Sequence, residues 1–185
     1  MRSIAPAARL QASSIHVGVI GPATAGKSLV CDALYEKTAW TVFRADEKHD
    51  PEWIKNPTPL TTEQRDAWAD RVCSGFEATI RTHPCTILDC SALTHAMQRR
   101  LLALDDGLVL IFLDISLDIA LERAAVRRID KGHFFREEEL IRDQFRVLEI
   151  PEPDERTYIV DAEQDPAKVV ADAWEIVSRI HTGTH

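Results

Sequence analysis

Two hydrophobic periods alternate along the chain. Ile15-His-Val-Gly-Val-Ile20 is a short, nearly continuous apolar run, the pattern of a strand buried on both faces. After a glycine-containing loop, Leu29, Val30, Ala33 and Leu34 recur at helical spacing and predict a helix over residues 27–37. Residues 40–44 predict a second strand, and the polar, proline-containing stretch 46–59 predicts irregular surface loop. Thr61-Thr-Glu-Gln is a helix-opening signal, and Trp68, Val72, Phe76 and Ile80 then repeat on one face as a core stripe to about Arg81. Residues 85–90 predict a third strand, Leu101 falls in a following helix, and residues 108–115 predict a fourth strand. Ser116 is placed to cap a helix carrying Leu117, Ala120, Leu121 and Ala124. Residues 158–160 predict a fifth strand, and residues 166–180 a closing helix that opens on Pro166. Strands alternating with helices imply an α/β, three-layer fold around a five-stranded parallel sheet with right-handed crossovers.

A length of 185 residues fits one domain, assigned to residues 14–182 behind a tail of residues 1–13. Arg2 and Arg9 stand there among small residues with no acidic one, a composition shared by a transit peptide and by a frayed terminus; we read a frayed terminus. The net charge of −8 argues against nucleic acid as the main partner, since phosphate-backbone binders carry a basic patch. The longest apolar run, from Leu108 to Leu113, is far shorter than the roughly 20 residues of a membrane helix, so a soluble, cytoplasmic protein is expected. Cys31, Cys73, Cys85 and Cys90 have no metal-ligand spacing and are read as reduced thiols.

Gly21-Pro22-Ala23-Thr24-Ala25-Gly26-Lys27-Ser28 satisfies G-x-x-x-x-G-K-[ST], the phosphate-binding P-loop, and lies between a predicted strand and a predicted helix as the mechanism requires. The loop as a whole would bind ATP: its backbone N–H groups and the start of the helix would converge on the phosphates, except at Pro22, which has no N–H but lies early in the loop, where the loss is tolerable. Lys27 would add a mobile positive charge, and Ser28 a hydroxyl for Mg²⁺. Thr24 stands where related loops often have glycine. Asp89, at the end of an apolar strand, is a second candidate metal contact.

Further along, Lys131-Gly-His-Phe-Phe135 precedes Gln144-Phe-Arg-Val-Leu-Glu149, Pro151, Asp154-Glu155 and Val160-Asp161. In order and spacing this resembles the gluconate kinase family. Cys90-Ser-Ala-Leu93, Pro59-Leu60 with Arg65 and Trp68, and Asp46 with His49 match further family segments, so the resemblance runs from about Ile15 to Ile176. It implies an ATP- and Mg²⁺-dependent kinase similar in fold to shikimate kinase. A mobile lid over about residues 123–138 would place Arg123 on the nucleotide, and Arg127 and Arg128 on the transferring group. It further implies an acceptor site in which Asp46 orients the hydroxyl or takes its proton and Arg65 holds a substrate carboxylate, with His49, Ser91 and His133 beside them. Each of these has a plainer reading: solvated helix-end arginines, a loop carboxylate, a surface arginine, structural histidines.

The acceptor side departs from the family. Residues 46–60 are shortened, with Asp50 inserted before Pro51, and the lysine expected after Leu93 is Thr94. A sugar acid, gluconate above all, is the expected acceptor, with another small hydroxyl compound such as a polyol as the alternative. A nucleotide-binding regulatory protein without transfer is the reading from a different class. Assembly, including a homodimer, stays open.

Overall fold

The computed structural model describes residues 14–55, 57–127 and 138–182. Its five strands, β1 (Ile15–Ile20), β2 (Thr41–Arg44), β3 (Cys85–Cys90), β4 (Leu108–Asp114) and β5 (Thr157–Asp161), form one sheet in the order β2-β3-β1-β4-β5. Every pairing is parallel, as expected. The helices are α1 (Lys27–Thr38), α2 (Pro51–Lys55), α3 (Thr62–Thr82), α4 (His95–Leu102), α5 (Leu117–Arg127), α6 (Glu138–Val147) and α7 (Pro166–Thr182).

Alternate side chains of the central strands feed two cores. Val17, Val19, Ile87, Ile111 and Leu113 pack on one face with residues of α1, α5 and α7. Ile20, Leu88, Cys90, Leu110 and Phe112 pack on the other with α3 and α4. Burial on both sides is why β1 and β4 read as unbroken apolar runs rather than alternating ones. The stripe of α3 behaves as expected: Trp68, Val72 and Phe76 are buried, and Ile80 packs against them. Its capping box forms too, with Gln64 N–H donating to Thr61 Oγ1 at 3.2 Å and Thr61 N–H to Gln64 Oε1 at 2.9 Å.

The stretch 46–59 is not irregular throughout. Residues Ala45–Lys48 form a 3₁₀ turn, and α2 follows with Pro51 as its first residue and Asp50 Oδ1 accepting from Glu52 N–H at 2.8 Å. Helix α6 is a further element beyond those drawn from the sequence; Leu140, Ile141 and Phe145 lie at helical spacing on its inner face, with Asp143 and Gln144 buried beside them. Trp40 lies just before β2 and packs edge-on against His181. All four cysteines are free thiols, and burial pushes those of Cys31, Cys73 and Cys90 up. Among the described residues, no helix is long and apolar enough to cross a membrane. The tail 1–13 and most of the expected lid, including Arg128, Lys131 and His133, lie outside the described residues.

Candidate active site

The phosphate loop leaves β1 at Gly21, whose φ of 139° and 2.7 Å clearance between a notional Cβ and the Leu113 carbonyl leave room for glycine alone. Gly21 N–H donates to the Ser91 carbonyl at 3.0 Å, which fixes the loop to the end of β3. Thr24 adopts a left-handed φ of 65°, and its hydroxyl donates to the Ala120 carbonyl at 3.0 Å, an anchor that offsets the strain of a side chain there. Gly26, with φ 99°, is the N-cap of α1 and brings no side-chain cap. The first N–H groups of α1 therefore meet no helical partner and, at the positive end of the helix dipole, suit an anion.

Not every loop N–H is available for phosphate. Ala23 N–H donates to Gln144 Oε1 at 2.7 Å and Ala25 N–H to the Pro22 carbonyl at 3.4 Å, so two of the expected phosphate donors already have protein partners. Lys27 Nζ lies 2.9 Å from the Pro22 carbonyl, folded across the loop. Ser28 Oγ donates to Asp89 Oδ2 at 2.8 Å. A hydroxyl and a carboxylate oxygen at this turn form an all-oxygen pair suited to Mg²⁺, which binds through few protein ligands plus phosphates and waters. Among the described residues no cluster of three or more His, Cys, Asp or Glu side chains competes with it. Arg44, which pairs with Asp89 in the sheet register, reaches the same Oδ2 at 3.2 Å and Asp32 Oδ1 at 2.6 Å. Sequence reasoning missed this arginine, since neither contact is local.

Beside the loop, a cavity of about 490 Å³ is lined by Thr24, Gly26, Leu29, Arg123, Val126 and Glu163. Its size and mixed walls suit a nucleoside. Arg123 stands at its wall, with Nη2 donating to the Ala162 carbonyl at 2.7 Å. Arg127 ends α5, and its side chain lies outside the described residues.

On the other side of the sheet end, the 3₁₀ turn after β2 presents Asp46 and His49. The His49 ring is stacked between Trp53 and Trp68, at centroid distances of 4.1 and 5.1 Å. Burial, then the Arg71 charge, lower its pKa to about 4. The imidazole is thus neutral at pH 7, and its 4.0 Å approach to Asp46 is not an ion pair there. Arg65 is half-buried and tied to the protein. Its Nη2 donates to Asp143 Oδ2 at 3.0 Å and to the Leu60 carbonyl at 3.4 Å, and Arg146 holds the other oxygen of Asp143. One carboxylate thus serves two guanidiniums, so the charge expected to meet a substrate carboxylate is shared with Asp143 inside the protein.

His49, Trp53, Arg65, Ser91, Asp143 and Gln144 line a cavity of about 30 Å³, room for little more than water. A larger groove of about 360 Å³ shares Arg65, Trp68 and Ser91 with it and continues along Thr94, Arg100 and Glu149. Thr94 is also the N-cap of α4, accepting from Met97 N–H at 3.3 Å. Sequence reasoning gave no role to Asp143 or Gln144; the only signal was the Gln-Phe segment, where a buried amide looks like any polar helix residue.

No protein-family model matches the chain. A Xenopus tropicalis protein named "Probable gluconokinase" is 28% identical over 182 residues, spanning 87% of this chain and 92% of its own. The thermoresistant gluconokinase of Escherichia coli K12 is 28% identical over 169 residues, spanning 89% of this chain and 94% of its own. The crystal structure of a sugar kinase from a Janibacter species superposes with a TM-score of 0.77 at 27% identity, over 89% of this chain and 95% of that one. Shikimate kinase from Aquifex aeolicus, at 16% identity and a TM-score of 0.54 over 89% of this chain and 96% of that one, shares the fold. Similar in sequence to the gluconokinases and in fold to shikimate kinase, the chain is a P-loop phosphotransferase that acts on an alcohol group of a small molecule.

Proposed function

We propose that the protein transfers the γ-phosphoryl group of ATP to a hydroxyl of a sugar acid, gluconate giving 6-phosphogluconate, with Mg²⁺ at Ser28 and Asp89. The observation that carries this reading is the phosphate loop with its Ser28–Asp89 pair on one side of the sheet end, and the Arg65–Ser91 groove on the other. The likeness to gluconokinases supports gluconate as acceptor. Bound there, Mg²⁺ supplies charge neutralisation at the phosphate oxygens.

In this scheme the start of α1 and Lys27 hold the β- and γ-phosphates, and Arg123 borders the nucleoside. The acceptor oxygen forms its bond to the γ-phosphorus as the bridging P–O bond to ADP breaks. Asp46, on the turn after β2, orients that hydroxyl and takes its proton. Arg127 and Arg128 are assigned to the charge that develops on the phosphoryl group, and His133 to the acceptor.

A second reading is a different small hydroxyl acceptor, and a specific observation favours it: Arg65 is already engaged by Asp143, and position 94 carries a capping threonine instead of a cation. ADP release measured across a panel of sugar acids and polyols separates the two. Gluconate is expected to give the highest kcat/KM. A neutral polyol above every acid would establish the second reading, and nucleotide binding without acceptor-dependent ADP release would mean that transfer has been lost.

A further inference from the structure

We propose that Asp143 and Gln144 are a pair of positioning residues that join the phosphate loop to the acceptor wall, so that a change at the acceptor wall is felt as nucleotide affinity. Successive residues of a helix point about 100° apart, so one turn of α6 can serve two neighbours. Asp143 takes the Arg65 guanidinium of α3, and Gln144 takes the Ala23 N–H of the phosphate loop. Both side chains are turned inward, their residues 9% and 6% exposed, and both border the small cavity on the acceptor side.

The two contacts differ in what they hold. Ala23 is itself 3% exposed, so its N–H has no solvent to turn to if Gln144 is removed; a buried, unpaired donor is costly, and the loop must shift to find a partner. The same loop presents the N–H groups of Gly26 and early α1 to phosphate, so a shift there is a shift of the phosphate donors. Asp143, held by Arg65 of α3, ties α6 to its neighbour and so sets the rotation of α6 about its axis and the aim of Gln144, while the Arg146 pair lies within α6 and only holds the Asp143 side chain in place. A purely structural pair would affect folding alone; a positioning pair adds a specific, non-additive effect on nucleotide binding.

The nucleotide half of this proposal rests on the phosphoryl-transfer reading above but needs no acceptor, and the test is built on that half. Titration calorimetry of Mg·AMP-PNP is carried out on the wild type, Gln144→Leu, Asp143→Asn and the double variant, with urea midpoints alongside. We expect Gln144→Leu to weaken nucleotide binding about tenfold, and Asp143→Asn about threefold although it does not touch the loop. The double variant should bind no more weakly than Gln144→Leu alone. Should Asp143→Asn fail to fold, Arg65→Gln breaks the same contact and carries the same expectation. Unchanged nucleotide affinity in Asp143→Asn, or a double variant weakened by the product of the single effects, would overturn the proposal. Gluconate is titrated separately into the wild type: its failure to bind contradicts the acceptor reading and does not alter what the four nucleotide affinities decide.

Discussion

Ser28 Oγ donates to Asp89 Oδ2 across 2.8 Å, joining the first turn of α1 to the end of β3. The register of β1 and β3, Val19 beside Asp89, sets this meeting, since β1 leads directly into the loop that ends in Ser28. If the pair holds Mg²⁺, Asp89→Asn removes a full negative charge from the site, and the Mg²⁺ concentration for half-maximal turnover rises about tenfold or more. Turnover titrated against Mg²⁺ at saturating ATP measures this. An unchanged midpoint would remove Asp89 from the metal site.

The phosphate half of the site was legible in the sequence because it is local: strand, loop and helix follow one another from Ile15 to Thr38, and each changes the hydrophobic period. The acceptor half was less so. Arg65 meets Asp143 from 78 residues away, and no pattern along the chain records that distance. Asp50-Pro51-Glu52 did carry a helix start, a side-chain cap followed by proline at the first position, yet within a polar, proline-containing stretch it reads as loop. Helix α6 was hidden for a different reason. Its apolar stripe, Leu140, Ile141 and Phe145, is short and shares the inner face with Asp143 and Gln144, and it lies in the segment read for its motif instead of its period.

His49 gives a pH-dependent stability with a defined sign. Its folded pKa of about 4 lies below the ordinary 6.5, so the unfolded chain binds the proton more readily. The associated stability is fully present above about pH 6.5 and is lost as the pH falls towards 4, by up to about 3 kcal/mol. Urea midpoints between pH 7 and pH 4.5 should therefore fall more steeply in the wild type than in His49→Gln. Equal slopes would show that the imidazole between Trp53 and Trp68 is protonated as easily as a free one.

Thr94→Lys sets capping against charge. Removing the hydroxyl that accepts from Met97 N–H costs about 1 kcal/mol, a melting temperature lower by roughly 2–4 °C in a chain of this size. The new cation lines the groove beside Arg65 and Ser91, where it should lower KM for gluconate by about tenfold. Scanning calorimetry and steady-state kinetics on the same preparation read both effects. A lower melting temperature with an unchanged KM would show that a carboxylate does not dock near position 94.

Transfer to a sugar-acid hydroxyl is tested most directly by ³¹P NMR of the reaction itself, with wild type and Lys27→Ala each incubated with ATP, Mg²⁺ and gluconate. With wild type, a phosphomonoester resonance should grow in step with ADP while inorganic phosphate stays flat, and Lys27→Ala should lose the reaction by about a hundredfold or more. ADP accompanied by inorganic phosphate alone, or a phosphomonoester that forms equally fast in Lys27→Ala, would contradict the account.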